Sequence, residues 1–182
     1  NIILLKLIYM RKEKCMSKVS IIQKNNFLED SFCDFFIDYI NNSKNKTTHR
    51  DTNIIYCDRT AVLDEIIEFK VLLAKLTFFV KKYSVNTCIN YSQIVEWPAK
   101  SLQAPHLDFN YHTHTSILYL NDDYEGGETL VGTKVIRPKK GKIVLFKGNK
   151  IKHQVLKIKS GKRYTNPTWY ITPTRKEKIN VN

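Results

Sequence analysis

No two of the four cysteines, Cys15, Cys33, Cys57 and Cys88, form a C-x-x-C pair, which removes zinc-ribbon and dithiol redox chemistry from consideration. Free thiols fit a reducing, cytoplasmic compartment. Also missing is any apolar run of the roughly 20 residues that a membrane-spanning helix needs. The apolar opening, Ile2 to Tyr9, is short and broken by Lys6. It has no basic segment before it and no small-residue cleavage site after it, so no signal peptide is expected. Residues 1–18, which contain Met10 and Met16, are expected to be a disordered or artefactual extension. With no internal repeat, no Pro- or Ser-rich linker and no low-complexity tract, nothing marks a second domain. A single domain over residues 19–174 is expected, followed by a frayed basic tail at 175–182.

What is present is ordinary for a globular domain: 42% apolar and 26% charged residues in 182. Thirty Lys and Arg against 17 Asp and Glu give +13, a balance that an anionic partner such as nucleic acid could use. The cations are scattered from Lys6 to Lys178 in a chain rich in Asn and Ile. No Arg-rich helix or interleaved aromatic stripe concentrates them, so a biased composition explains the charge better than a nucleic-acid surface does.

Leu28, Phe32, Phe35, Phe36, Tyr39 and Ile40 recur at helical spacing and predict a helix over 27–42, with Asp30 or Ser31 as its cap. Polar residues Asn41 to Thr52 read as a loop. Leu63, Ile66, Ile67, Leu73, Leu76, Phe79 and Val80 predict a second helix from Thr60 to about Tyr83. Short strand-like runs follow at 87–97, 115–121, 128–131, 142–146, 154–158 and 163–171, separated by turn residues such as Gly126-Gly127, Lys140-Gly141, Gly148-Asn149 and Ser160-Gly161. Helices followed by antiparallel strands predict an α+β fold, with N-terminal helices packed on one sheet of a β-sandwich or jelly roll.

Chemistry enters at His106-Leu107-Asp108, where the spacing puts an imidazole and a carboxylate on one face of a strand. With a distant second His, such a pair can occupy one face of an octahedral Fe(II) and leave three positions open. The motif alone is weak, since this composition gives about one chance match in four chains. Downstream, His153 starts a strand and Arg163 follows one turn later, its planar fork suited to a carboxylate. Trp169 shares the strand parity of Arg163, so a regular strand would face both inward, although Pro167 between them points to a bulge or an edge strand.

From His106-Leu107-Asp108 the chain continues through Tyr119-Leu120-Asn121, Gly126-Gly127-Glu128-Thr129, Pro138-Lys139-Lys140-Gly141, Phe146, His153, Gly161-Lys162-Arg163 and Trp169. This ordered series resembles the prolyl-4-hydroxylase-like Fe(II)- and 2-oxoglutarate-dependent oxygenases over about residues 90–171. The resemblance implies a double-stranded β-helix, with iron on His106, Asp108 and His153. It further implies the far carboxylate of 2-oxoglutarate on Arg163 with Tyr119 as a hydrogen-bonding neighbour, O2 as oxidant and ascorbate as a reductant. The implied reaction hydroxylates a prolyl residue in a peptide or protein. Trp97 stands where the family often has a tyrosine, and Gln103 where a tyrosine is common; Trp97, Trp169 and His114 are assigned to the pocket wall on the substrate side.

Two other readings remain at this stage. One is a non-catalytic jelly-roll binding module; the other is an oxygenase acting on a free amino acid or a nucleic-acid base. His112-x-His114 lacks the following Glu of a cupin metal site, because Leu118 and Tyr119 take the positions where it would stand.

Overall fold

The computed structural model describes residues 21–44, 46–48, 55–58 and 66–173. The expected extension at 1–18, the tail at 175–182 and Thr60 lie outside these residues, but the second helix begins at Ile67 and does not run through from Thr60, because Ile66 is extended.

Helix α1 spans Asp30–Asn42 and buries Cys33, Phe36 and Ile40, one stripe at helical spacing. It starts later than the apolar pattern, because the Phe27 and Leu28 N–H groups bond to Gly141 O first. Glu29 occupies the N-cap position with no side-chain cap bond, so neither Asp30 nor Ser31 caps the helix. The Glu29 carboxylate is instead bonded to Lys75 Nζ at 2.8 Å. Lys75 lies on α2 (Ile67–Lys81), which buries Phe69, Leu72, Leu76, Phe79 and Val80.

The strands are β1 (Ile22–Lys24), β2 (Thr47–Thr48), β3 (Ile55–Asp58), β4 (Cys88–Trp97), β5 (Gln103–His106), β6 (His114–Tyr119), β7 (Glu125–Gly126), β8 (Thr129–Val131), β9 (Lys134–Ile136), β10 (Ile143–Phe146), β11 (His153–Val155), β12 (Ile158–Ser160) and β13 (Arg163–Ile171). Seven form a major sheet in the order β1-β10-β6-β13-β4-β3-β2, four a minor sheet in the order β5-β11-β8-β9, and β12 pairs with β7. All pairings are antiparallel. One face of the major sheet packs Leu118, Leu120, Ile143, Leu145, Tyr164 and Tyr170 against the two helices. Its other face contributes Ile117, Tyr119, Val144 and Phe146 to a second core with Val131 and Ile136 of the minor sheet. This is a jelly roll with helices on one sheet, as expected.

Two expectations need correction. The run 154–158 is not one strand, because the chain changes sheet between β11 and β12, where Leu156 N–H bonds to Glu128 O and Ile158 N–H to Ser101 O. Arg163 is therefore not one hairpin from His153. It opens β13, at the centre of the major sheet between β4 and β6.

Pro167 marks neither an edge nor a bulge. The register Thr165↔Val95 and Thr168↔Ser92 puts it opposite Gln93, whose carbonyl a proline cannot serve. Asn166 Nδ2 donates to Gln93 O at 2.8 Å and to Ser92 Oγ at 2.9 Å, supplying the missing donor from the side chain. The irregularity falls further on, between Trp169 and Tyr170, which pair with Tyr91 and Ile89 and leave Asn90 of β4 as the extra residue. Asn166→Leu keeps the volume but leaves Gln93 O unpaired inside the sheet. The expected loss is about 1–3 kcal/mol of unfolding free energy in denaturant titration; an unchanged midpoint would remove Asn166 from this role.

Candidate metal centre and its cavity

Strands β5 and β11 are neighbours in the minor sheet, and their register sets His106 opposite His153, with ring centroids 4.3 Å apart. His106 Nδ1 lies 2.9 Å from Ala104 O, and His153 Nδ1 lies 3.1 Å from Ile151 O. Carbonyls only accept, so each Nδ1 carries a proton and each Nε2 is left as the atom for a metal. Asp108 does not share a strand face with His106, contrary to the spacing argument, because β5 ends at His106. A turn then brings the carboxylate in, with Asp108 N–H bonded to Gly148 O at 3.1 Å. Asp108 Oδ1 ends 4.0 Å from His106 Nε2 and 3.6 Å from His153 Nε2. One ligand atom from each of the three residues falls within 4.8 Å of the others.

The Asp108 and His153 side chains are 6% and 7% exposed, whereas His106 is 36% exposed and opens toward solvent. Burial holds the His153 imidazole below its ordinary range, against the opposing pull of the Asp108 carboxylate, and so keeps it in the neutral form a metal requires. Both carboxylate oxygens of Asp108 are held. Trp169 Nε1 donates to Oδ1 at 3.0 Å, and Thr115 Oγ1 donates to Oδ2. Trp169 and Thr115 are themselves paired across β13 and β6. Two imidazoles with their Nδ1 atoms held by carbonyls and one oriented carboxylate fit Fe(II) with open positions for other ligands.

A cavity of about 550 Å³ runs from this cluster past Val95, Trp97, Gln103, Thr129 and Trp169. Behind Trp97 and Thr129 lies Arg163, fully buried. Its guanidinium sits 4.9 Å from the Trp97 ring centroid and 5.4 Å from that of Tyr119. Nη2 donates to Thr129 Oγ1 at 3.1 Å, while Nε and Nη1 have no partner. Buried guanidinium donors without an acceptor are costly, and a carboxylate reaching the end of the cavity would satisfy them.

Tyr119 stands beside Arg163, but its hydroxyl donates to Thr129 Oγ1 at 2.7 Å. The Trp97 indole N–H is likewise engaged, by Thr165 Oγ1 at 3.0 Å. His114 is not on the pocket wall. Alternation along β6 sends Thr115 and Ile117 into the cavity, so His114 falls on the opposite face with Ser116 and Leu118. Thr115 and Thr129 were not assigned roles from the sequence. Thr129 stood in view within Gly126-Gly127-Glu128-Thr129, whereas nothing in the sequence singles out Thr115.

Residues 92–171 match the family model of the 2OG-Fe(II) oxygenase superfamily. The fold of this chain is similar to that of a viral collagen prolyl hydroxylase from Paramecium Bursaria Chlorella virus-1, solved with 2-oxoglutarate, at 19% identity, TM-score 0.70, and 87% of this chain against 99% of that one. A Pseudomonas putida prolyl-4-hydroxylase is similar at 14% identity and TM-score 0.72, over 87% of this chain and 96% of that one. A Trichoplax adhaerens prolyl hydroxylase, solved with a hypoxia inducible factor peptide fragment, is similar at 16% identity and TM-score 0.72, over 97% of this chain and 96% of that one. No curated protein matches the chain. The fold is prolyl 4-hydroxylase-like, and the match over residues 92–171 supports a 2-oxoglutarate-dependent dioxygenase with Fe(II), 2-oxoglutarate and O2 as cofactor and co-substrates.

Proposed function

We propose that His106, Asp108 and His153 hold the iron, that Arg163 receives the far carboxylate of 2-oxoglutarate, and that the substrate is a prolyl residue in a peptide or protein. The observation carrying this reading is one cavity with two imidazoles and a carboxylate near its mouth and, behind its inner wall, a buried guanidinium that faces no carboxylate among the described residues. The bound iron and 2-oxoglutarate supply the oxidation: 2-oxoglutarate and O2 become succinate and CO2 while a substrate C–H becomes C–OH. The chain's own residues bind and orient. The three residues would hold the metal, Trp169 and Thr115 fix the carboxylate of Asp108, and Arg163 would hold the far end of the co-substrate.

A peptide substrate is supported by the surface beside the metal. Phe109 and Tyr111 are exposed and stack at 5.4 Å between centroids, and Leu107 is exposed beside them. Aromatic surfaces of this kind suit prolyl rings and extended proline-rich segments. The free thiols of Cys33 and Cys88 support a reducing compartment.

Anaerobic titration of the Fe(II)-loaded protein with 2-oxoglutarate tests the site through the charge-transfer absorption of the chelate. The band is expected in the parent and absent from a folded His153→Ala variant; equal bands in both would remove His153 from the metal. Aerobic incubation with proline-rich peptides should then add one oxygen to a prolyl residue by mass spectrometry. Turnover coupled to free proline or a nucleobase, with no peptide oxidised, would overturn the substrate assignment.

A further inference from the structure

Charge is unevenly placed around the metal cluster. From Thr129 to Pro173 the chain has no Asp or Glu, and from Trp97 to Asn121 it has only Asp108. These two stretches supply β5, β6 and β11 and the turns between which the three clustered residues sit. Some lysines of the first stretch reach acids brought from elsewhere: Lys140 meets Asp34, Lys159 meets Glu125 and Lys162 meets Glu96. Lys150 and Lys152 are exposed and have no ion pair or side-chain hydrogen bond among the described residues.

Both stand on the segment that builds the cluster. Gly148 O accepts from the Asp108 N–H at 3.1 Å, and Asn149 Nδ2 donates to Asn110 O at 2.8 Å. The turn carrying Lys150 is thereby tied to the loop that presents Phe109 and Tyr111, whose exposed rings stack with 6° between their planes. Lys152 precedes His153, and the pairing of His153 with His106 sets it outward, across from Leu107. Beside the aromatic loop, Tyr91, Leu107, Phe109 and Trp169 line a hollow of about 310 Å³ that shares His106 and Asp108 with the main cavity.

We infer that this face takes an acidic segment of the substrate peptide, its carboxylates over Lys150 and Lys152 and its apolar residues in the hollow against Leu107 and Phe109. This rests on the peptide reading above. Lys150 is two residues from Gly148, and an extended peptide advances about 3.3 Å per residue, so a carboxylate within about four residues of the reacting prolyl reaches the lysines. A nucleic-acid strand fits less well. The turn offers no arginine, and Phe109 and Tyr111 stack on one another, which leaves no slot between them for a base.

Two fluorescein-labelled peptides test the inference, one of alternating Pro and Ala with two Glu residues and one with Gln in their place. Each is titrated with the Mn(II)-loaded protein in the presence of 2-oxoglutarate and followed by anisotropy. The Glu peptide is expected to bind about three- to tenfold more tightly at low salt, the worth of one or two exposed ion pairs. Its advantage should vanish at about 1 M NaCl, where charges are screened beyond about 3 Å. In the double variant Lys150→Glu/Lys152→Glu the ratio should fall to one or invert, with a melting curve as the control for folding. Equal or undetectable binding of the two peptides by the parent, or a preference that the double variant keeps, would overturn the inference. So would a single-stranded oligonucleotide that binds more tightly than the Glu peptide and is lost with the same lysines. Aerobic turnover with Fe(II) separates this inference from the one it rests on: if the Glu peptide is preferred but neither peptide gains oxygen on proline, the prolyl assignment fails and the acidic surface stands.

Discussion

A Gly148→Ala protein is expected to fold but to bind Fe(II) about 10- to 100-fold more weakly than the parent, the loss typical when a metal ligand loses its orientation. A Cβ at Gly148 would overlap both Asp108 Oδ2 and Thr115 Oγ1. The carboxylate cannot swing aside cheaply. Its backbone N–H is bonded to Gly148 O at 3.1 Å, Trp169 holds Oδ1 and Thr115 holds Oδ2. The new methyl must break one of these contacts or push Asp108 away from the two imidazoles. Calorimetric titration with Mn(II) reads the loss, and a melting curve of the metal-free protein controls for folding. Parent-like affinity would mean that the loop yields and that Gly148 serves only its turn.

Gly148 shows where sequence reasoning stops. Beside Asn149 it reads as a turn residue, and Lys150 N–H does bond back to Lys147 O. What requires glycine there, however, is a carboxylate forty positions earlier in the chain, which no local pattern reveals. Periodicity worked where an element is long and amphipathic: α1 and β13 keep one period, so the stripe of Cys33, Phe36 and Ile40 and the shared face of Arg163 and Trp169 could be read directly. It failed for β1, β2, β5, β7 and β9, whose four residues or fewer are strands only because a partner strand pairs with them. It also misplaced His114, since the exact strand phase of β6, not its existence, decides which histidine faces the cavity. The H-x-D spacing brought two of the three clustered side chains into view for a partly wrong reason: a turn after β5, and not strand alternation, brings Asp108 to His106.

Arg163→Met is expected to move stability and binding in opposite directions. Methionine fills much of the stem's volume between Trp97 and Tyr119 but carries no charge. The guanidinium donates to Thr129, lies beside the Tyr119 and Tyr124 hydroxyls and meets two aromatic faces. No carboxylate among the described residues pairs with it, and Nε and Nη1 remain unsatisfied. Desolvating such a cation costs several kcal/mol, more than one bond and two ring contacts return, so its removal should relieve the ligand-free fold. A rise of about 2–4 °C in melting temperature corresponds to about 1 kcal/mol in a chain of this size. With the metal bound, the same variant should lose nearly all the extra stabilisation that 2-oxoglutarate gives the parent, because the carboxylate then has no cation to meet. If Arg163→Met instead melts well below the parent without ligand, the stacking and the Thr129 bond outweigh the buried charge, and Arg163 is part of the core before it is part of the site. If it melts higher and no longer responds to 2-oxoglutarate, the unpaired cation is a cost held in the fold until the co-substrate arrives.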